Sequence, residues 1–262
     1  MKKLNFIISF LLATVGLSLN TALAQNDTIY IMKNGNVIWE CKVADIDSII
    51  FYKPIPTGDL TGTFIDLRDS TEYTWIRIGY QVWMAENLKY LPSVVGPGTW
   101  SNTEPYYYVY GYDSTDVLAA KATENYTTYG VLYNWTAAMN GASSSSANPS
   151  AVQGICPDGW HLPSDAEWIQ LTDYLGGWEV AGGKLKEVGT EHWNDPNAGA
   201  TNESGFTALP GGSRYFGSFE KIGNYGLWWS TTEYNDTHAW FRHIIYISSH
   251  LNPNSAKLGG CF

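Results

Sequence analysis

The chain is poor in charge. Only 15% of its 262 residues are Asp, Glu, Lys or Arg, and cations are the scarcer sign, 15 against 25. A formal charge of −10 excludes attraction to nucleic acid or anionic lipid by charge. Cysteine is scarce too. Cys41, Cys156 and Cys261 are too few for a disulfide scaffold, and their odd number leaves one thiol over. Of the five histidines, His161, His192, His238, His243 and His250, none stands in the His-Glu-x-x-His spacing of a catalytic zinc site. Ser230 lacks a Gly-x-Ser-x-Gly elbow. No tandem repeat is visible, and no run beyond the N-terminal segment is apolar enough to cross a bilayer.

What is present starts at that segment. Lys2 and Lys3 precede an apolar run from Phe6 to Leu19, and Ala22-Leu23-Ala24 forms a small-x-small site. Residues 1–24 therefore read as a signal peptide, with the mature chain expected from Gln25. Losing Lys2 and Lys3 would take the formal charge from −10 to −12. The expected location is secreted or cell-surface, without a membrane span after cleavage. An oxidising compartment permits a disulfide. Cys156, just before a predicted helix, and Cys261, at the last strand, are the expected pair. Closing so long a loop is worth about 4–5 kcal/mol in the chain-entropy model. Cys41, on a predicted strand, is expected to be a buried thiol.

Residues 25–52 read as a small β segment. Thr28 to Met32 and Val37 to Cys41 flank Asn34-Gly35, a tight-turn signal. Ile46, Ile49, Ile50 and Phe51 suggest a third strand. Pro54, Pro56 and Gly58 place a linker at 53–58, and residues 59–262 form the main domain. There, Gly62 to Asp66, Tyr73 to Ile78 and Gly79 to Met84 alternate as antiparallel strands. Residues 91–128 read as a long surface loop ordered by Tyr106, Tyr107, Tyr108 and Tyr110. Gly130 to Met139 is a helix candidate, and Ser143 to Pro149 reads as mobile. Ser164 is an N-cap with Glu167 three residues on, and Trp168, Leu171 and Leu175 follow at helical spacing before Gly176-Gly177. Residues 178–227 carry few periodic runs. Leu227 to Thr232 and Ala239 to Tyr246 read as the last strand pair.

The composition holds 12 Trp, 18 Tyr and 26 Gly. Such a chain has short strands and long ordered loops, whose aromatic side chains supply a core. Trp168, Leu209, Trp228 and Trp229 are expected to be largely core. Trp100, Tyr106, Tyr107, Tyr108, Trp178, Trp193, Tyr215 and Tyr225 are the loop aromatics able to stack on sugar rings or anchor a protein. Two or three of them are expected to be exposed together. Tyr106, Tyr107, Trp193, Tyr215 and Tyr225 are the candidate ligand-binding residues, on a face built from 91–128 and 178–226. Asp113, Asp116, Asp195 and Glu203 offer oxygens there.

Five ordered blocks carry a family resemblance. They are Val82 to Leu88, Tyr129 to Met139, Cys156 to Trp168, Ser204 to Gly212, and Trp228 to Glu233. In this order the chain resembles the Fibrobacter succinogenes major paralogous domain, over about residues 60–262. That family is similar to the group holding formylglycine-generating enzymes and C-type lectins, and Leu162 to Trp168 resembles the "R-L-P-T-E-A-E-W" block of the former. The resemblance implies an α+β, C-type-lectin-like domain with short twisted antiparallel strands, two helices and long loops. It implies no activity, because fold and function separate easily. Ala44 to Ile49 resembles a segment common in exported proteins of gut-type Bacteroidetes.

Formylglycine-type oxidation needs two reactive cysteines near the domain end, where only Cys261 lies. Asp165 and Glu167 sit at a helix start, where carboxylates favour the dipole, so capping outweighs a glycosidase pair. Trp193-Asn194-Asp195 is the triplet of lectin calcium sites, which makes Asn194 and Asp195 candidate calcium ligands. Asn197, Asn202 and Glu203 offer further oxygens. No other cofactor is expected. The sequence thus reads as an exported, non-enzymatic recognition or structural protein, its partner a glycan or surface protein. An oxidase of the formylglycine type and a purely structural surface module are the alternatives.

Overall fold

The computed structural model describes residues 28–33, 36–42 and 60–262. The chain divides into two units, Met1–Pro54 and Ile55–Phe262. In the first, β1 (Thr28–Lys33) and β2 (Asn36–Lys42) pair antiparallel, Thr28 opposite Lys42 and Lys33 opposite Asn36. This is the hairpin that Asn34-Gly35 predicts. Val37, Ile38 and Trp39 are consecutive and all exposed, so apolar side chains stand on both faces of β2. The turn itself, the Cys41 side chain, the predicted third strand, the 53–58 linker and the 1–24 leader lie outside the described residues.

The second unit is α+β. Its first sheet is β3 (Thr61–Asp66), β4 (Thr71–Ile78) and β5 (Gln81–Met84), antiparallel and in that order, where the alternation predicts them. A two-stranded ribbon follows, β6 (Tyr107–Tyr108) with β7 (Leu132–Tyr133). Between them run α1 (Val117–Lys121) and α2 (Glu124–Tyr129), and after them α3 (Trp135–Met139), α4 (Asp165–Tyr174) and α5 (Trp178–Leu185). A hairpin of β8 (Ser213–Tyr215) and β9 (Ser218–Glu220) leads to the last sheet, β10 (Tyr225–Asn235), β11 (His238–Ile245) and β12 (Asn252–Lys257).

Helix α4 forms as its sequence dictates. Ser164 Oγ accepts from Glu167 N, and the Glu167 carboxylate accepts from Ser164 N at 2.9 Å, closing the capping box. Gly176 and Gly177, both at positive φ, let the chain leave the helix where a side chain would be strained. The buried face of α4, Trp168, Leu171 and Leu175, joins Trp193, Phe206, Ile244 and Leu251 in one core. A second core gathers Tyr107, Tyr133, Trp135, Met139, Trp229 and Phe241. Trp168 and Trp229 are buried as expected. Trp228 and Leu209 are only partly so.

Several loops hold more structure than their sequences suggest. Tyr107 and Tyr108 are buried strand residues, not surface ornaments of a loop over 91–128. Asp116 and Thr123 cap α1 and α2 there. The predicted helix from Gly130 is β7 followed by α3, because Asn134 interrupts it. Asn134 Oδ1 caps Ala137 N at 2.9 Å and also accepts from Tyr106 N at 3.0 Å. The Ser-rich segment at 143–149 is pinned to β10. Thr231 and Thr232 hydroxyls both donate to Ser145 O at 2.8 Å, and Glu233 N donates to Ser144 Oγ. Helix α5 has no sequence period to announce it, because Gly182 and Gly183 occupy its interior. They are needed there: a Cβ on either would strike the backbone of His250 or Gly199. The third strand of the last sheet, β12, carries Pro253, which an edge position tolerates.

The expected Cys156–Cys261 bond is not made. Both cysteines are free and buried. The reason is topological. Alternate residues of the β6–β7 ribbon face opposite ways. Cys261 packs with Tyr108 and Leu132 on one face, whereas Cys156 lies by Arg68 and Tyr133 on the other. Burial pushes the Cys156 thiol up to about 12 and the Cys261 thiol up as well. Neither is a ready thiolate.

Candidate recognition face

Two of the predicted ligand-binding aromatics are core. Trp193 is 1% exposed, its Nε1 donates to Ala208 O at 2.9 Å, and Lys186 Nζ stands 5.3 Å from its ring centre. Tyr107 is 8% exposed and meets Tyr133 edge to face. Their apolar mass completes cores that the short helices cannot fill, so neither can stack on a ligand. Tyr106, Tyr215 and Tyr225 are partly exposed, but Tyr225 already lies on His243 and beneath Lys221.

The candidate calcium ligands are exposed yet not gathered. Asn194 Nδ2 donates to Asn224 Oδ1 at 2.9 Å, and its backbone N–H donates to Gly223 O. Among the described residues, the ligand atoms that do converge belong to Glu187, Glu191 and His192, just before the Asn-Asp pair, with Asp195 outside the group.

The structure instead ties together two segments that each carry an exposed aromatic, Trp100 and Phe216. Arg214, on β8, is buried, and its guanidinium has no carboxylate partner among the described residues. Its Nε donates to Pro97 O at 2.8 Å, its Nη2 contacts the same carbonyl, and its Nη1 reaches Gly259 O at 3.5 Å. Tyr108, whose ring lies under the guanidinium, donates its hydroxyl to Thr99 O at 2.6 Å. Asn134 Nδ2 donates to Ser101 O and Glu104 O, and Ser101 Oγ accepts from Thr103 N and Glu104 N. The 97–104 backbone is therefore held by side-chain donors to the carbonyls of Pro97, Thr99, Ser101 and Glu104. Trp100, at its middle, is 60% exposed.

The β8–β9 hairpin adds to this face. Its two turn residues, Phe216 (φ 47°) and Gly217 (φ 84°), both lie at positive φ, as a type I′ turn requires. Asn or Gly is the usual occupant of the first position. Phe216 there is strained, is 80% exposed, and places its ring 4.3 Å from that of Tyr215. The contact of Arg214 with Pro97 O ties the hairpin that carries Tyr215 and Phe216 to the loop that carries Trp100. Trp100 and Tyr215 were legible as loop aromatics. Phe216 carries no such signal, because Phe-Gly is not one of the usual two-residue hairpin turns.

A titratable pair lies beside α4. Glu167, largely buried, accepts from Ser150 N at 3.0 Å and Ser164 N at 2.9 Å, and meets His161 Nε2 at 2.7 Å. The Glu167 carboxylate raises the His161 imidazole, while hydrogen bonds from His161, Ser164 and Ser150 overcome burial and hold Glu167 low. These contacts pin the 150–167 loop to the helix start. Lys186, buried, donates to Ala198 O at 2.8 Å and Ser248 O at 3.0 Å and is pushed down to about 8 by burial.

The model of the Fibrobacter succinogenes major domain matches residues 76–257, from within β4 to the end of β12. The chain belongs to the Fibrobacter succinogenes major domain family. No curated protein and no solved structure matches it. All five resemblance blocks lie inside the matched span, as do Trp100, Tyr215 and Phe216. The family domain here is a mixed fold of short antiparallel strands and few, short helices, and no helix among the described residues is long and apolar enough to cross a membrane.

Proposed function

We propose that this member of the Fibrobacter succinogenes major domain family is an exported or cell-surface, non-enzymatic recognition protein of C-type-lectin-like fold, which binds carbohydrate through the Trp100–Tyr215–Phe216 face. The observation that carries the reading is Phe216, a bulky apolar residue held both strained and exposed at a hairpin tip. Strain and exposure each oppose folding, so a role outside folding accounts for both. The pinned backbone under Trp100 supports the same reading, because a rigid aromatic loses little freedom when a sugar ring stacks on it. Export rests on the leader-like residues 1–24. The lectin-like assignment rests on the block order and on short sheets separated by long loops whose backbone is held by side chains.

A protein ligand is the runner-up, and the apolar, two-faced β2 favours an attachment role for the N-terminal segment. The formylglycine-oxidase alternative loses ground, since Cys156 and Cys261 are buried thiols with raised pKa. A glycan array probed with the purified chain, with and without calcium, tests the proposal. Binding to a definable glycan class supports it. A folded chain that binds no glycan in either condition defeats it.

A further inference from the structure

Outside the aromatic face, one cluster joins a histidine to two carboxylates on the loop that follows α5. His192 Nδ1 stands 2.9 Å from both carboxylate oxygens of Glu187, and a carboxylate oxygen of Glu191 completes a set of three ligand atoms within 4.8 Å of one another. The loop that carries them is not loose. Glu187 N donates to Ala208 O, Trp193 anchors the far end in the core, and the His192 and Tyr129 rings meet at near right angles with centroids 5.9 Å apart. The imidazole is thus positioned rather than free to swing.

A second observation comes from the residue that braces this loop. Asn197 is only 6% exposed. Its Nδ2 donates to Glu187 O at 2.8 Å and to Gly189 O at 2.6 Å, while its Oδ1 is buried without a partner. A buried acceptor left over beside the backbone of Glu187 calls for a donor such as a water.

The geometry points to a divalent transition-metal site formed by His192, Glu187 and Glu191, with zinc the ion best matched to one imidazole and two carboxylates. Three protein ligands leave a position for water on a tetrahedral zinc ion. Neighbouring ligand atoms on such an ion, with bonds of about 2.0–2.1 Å, lie about 3.4 Å apart. The three ligand atoms all lie within 4.8 Å of one another, close enough that side-chain movements bring them to that spacing. The donor set disfavours calcium, which takes six to eight oxygens rather than an imidazole. The site lies on Glu187, Glu191 and His192, not on Asn194 and Asp195, and it is independent of the aromatic face.

Calorimetric titration of zinc chloride into the tag-free, chelator-treated full chain tests this, with calcium chloride as the comparison. One zinc equivalent per chain is expected, with no calcium uptake at the same site. His192→Ala and Glu191→Gln should each weaken zinc binding at least tenfold. Glu191 is exposed, so its variant keeps a folded reference if His192→Ala or Glu187→Gln does not fold. Cobalt substitution should give tetrahedral visible bands that vanish in Glu191→Gln. No zinc uptake by the folded wild type, or undiminished uptake by folded Glu191→Gln, overturns the site. Trp100→Ala should leave zinc uptake unchanged, which keeps this test separate from that of the recognition face.

Discussion

Arg214 donates its guanidinium to the carbonyl of Pro97, a residue 117 positions earlier in the chain. That contact, with the reach to Gly259 O, joins the hairpin, the Trp100 loop and the chain after β12 around one buried cation. Burying a cation on carbonyls alone is costly unless every donor finds an acceptor.

Arg214→Ala should therefore be among the most damaging single changes. It opens a cavity over the Tyr108 ring and leaves Pro97 O without its donor, at a cost of about 3–5 kcal/mol. Arg214→Lys should recover only part of this, because an ammonium cannot span the same acceptors. Chemical denaturation of the three proteins measures the difference.

The His161–Glu167 pair predicts a pH window. The His161 pKa is raised in the folded state, so its contribution is complete below the unfolded value of about 6.5 and is lost as pH rises through the folded value. The Glu167 pKa is lowered, so its contribution is complete above its unfolded value of about 4.5 and is lost as pH falls through the folded value. Thermal melts should show the pair's stabilisation greatest between about pH 4.5 and 6.5. In Glu167→Gln that bias should shrink. An unchanged pH profile in the folded variant would remove the pair as its source.

Cys156 and Cys261 should be unreactive in the native protein. A thiol reagent should label them only after denaturant is added, and a non-reduced digest should contain no peptide joining them. Finding the cross-linked peptide would show that the ribbon between them does not separate the two thiols.

Phe216→Asn should stabilise the domain by about 0.5–1 kcal/mol, because Asn tolerates the left-handed region that strains Phe. The same change should weaken ligand binding. Equilibrium unfolding and binding assays on one preparation check both. A destabilised Phe216→Asn would mean that the ring packs usefully at the tip.

Where one residue type dictates one local geometry, the sequence was readable. Ser164 and Glu167 announced α4, Gly176-Gly177 ended it, and alternation placed β3 to β5. The five blocks identified the family. Legibility failed where tertiary packing overrides local pattern. Gly182 and Gly183 hide a helix because their role is to let it approach His250 and Gly199. Tyr107 and Trp193 read as loop aromatics, but a chain of short elements needs them inside. Cys156 and Cys261 looked like a pair because nothing in the sequence says that a two-stranded ribbon parts them. The candidate site was half legible: Trp100 and Tyr215 were among the loop aromatics, whereas Phe216 and the grouping of Glu187 and Glu191 with His192 required the fold.

The recognition face is tested most directly by probing one glycan array with the wild-type chain and with a Trp100→Ala, Phe216→Ser double variant. Both side chains are exposed, so the variant should melt close to the wild type. The account predicts glycan signals from the wild type that fall at least tenfold in the double variant, as for exposed aromatic anchors worth about 1.4 kcal/mol or more together. Signals undiminished in the folded variant, or none from the folded wild type, would contradict it.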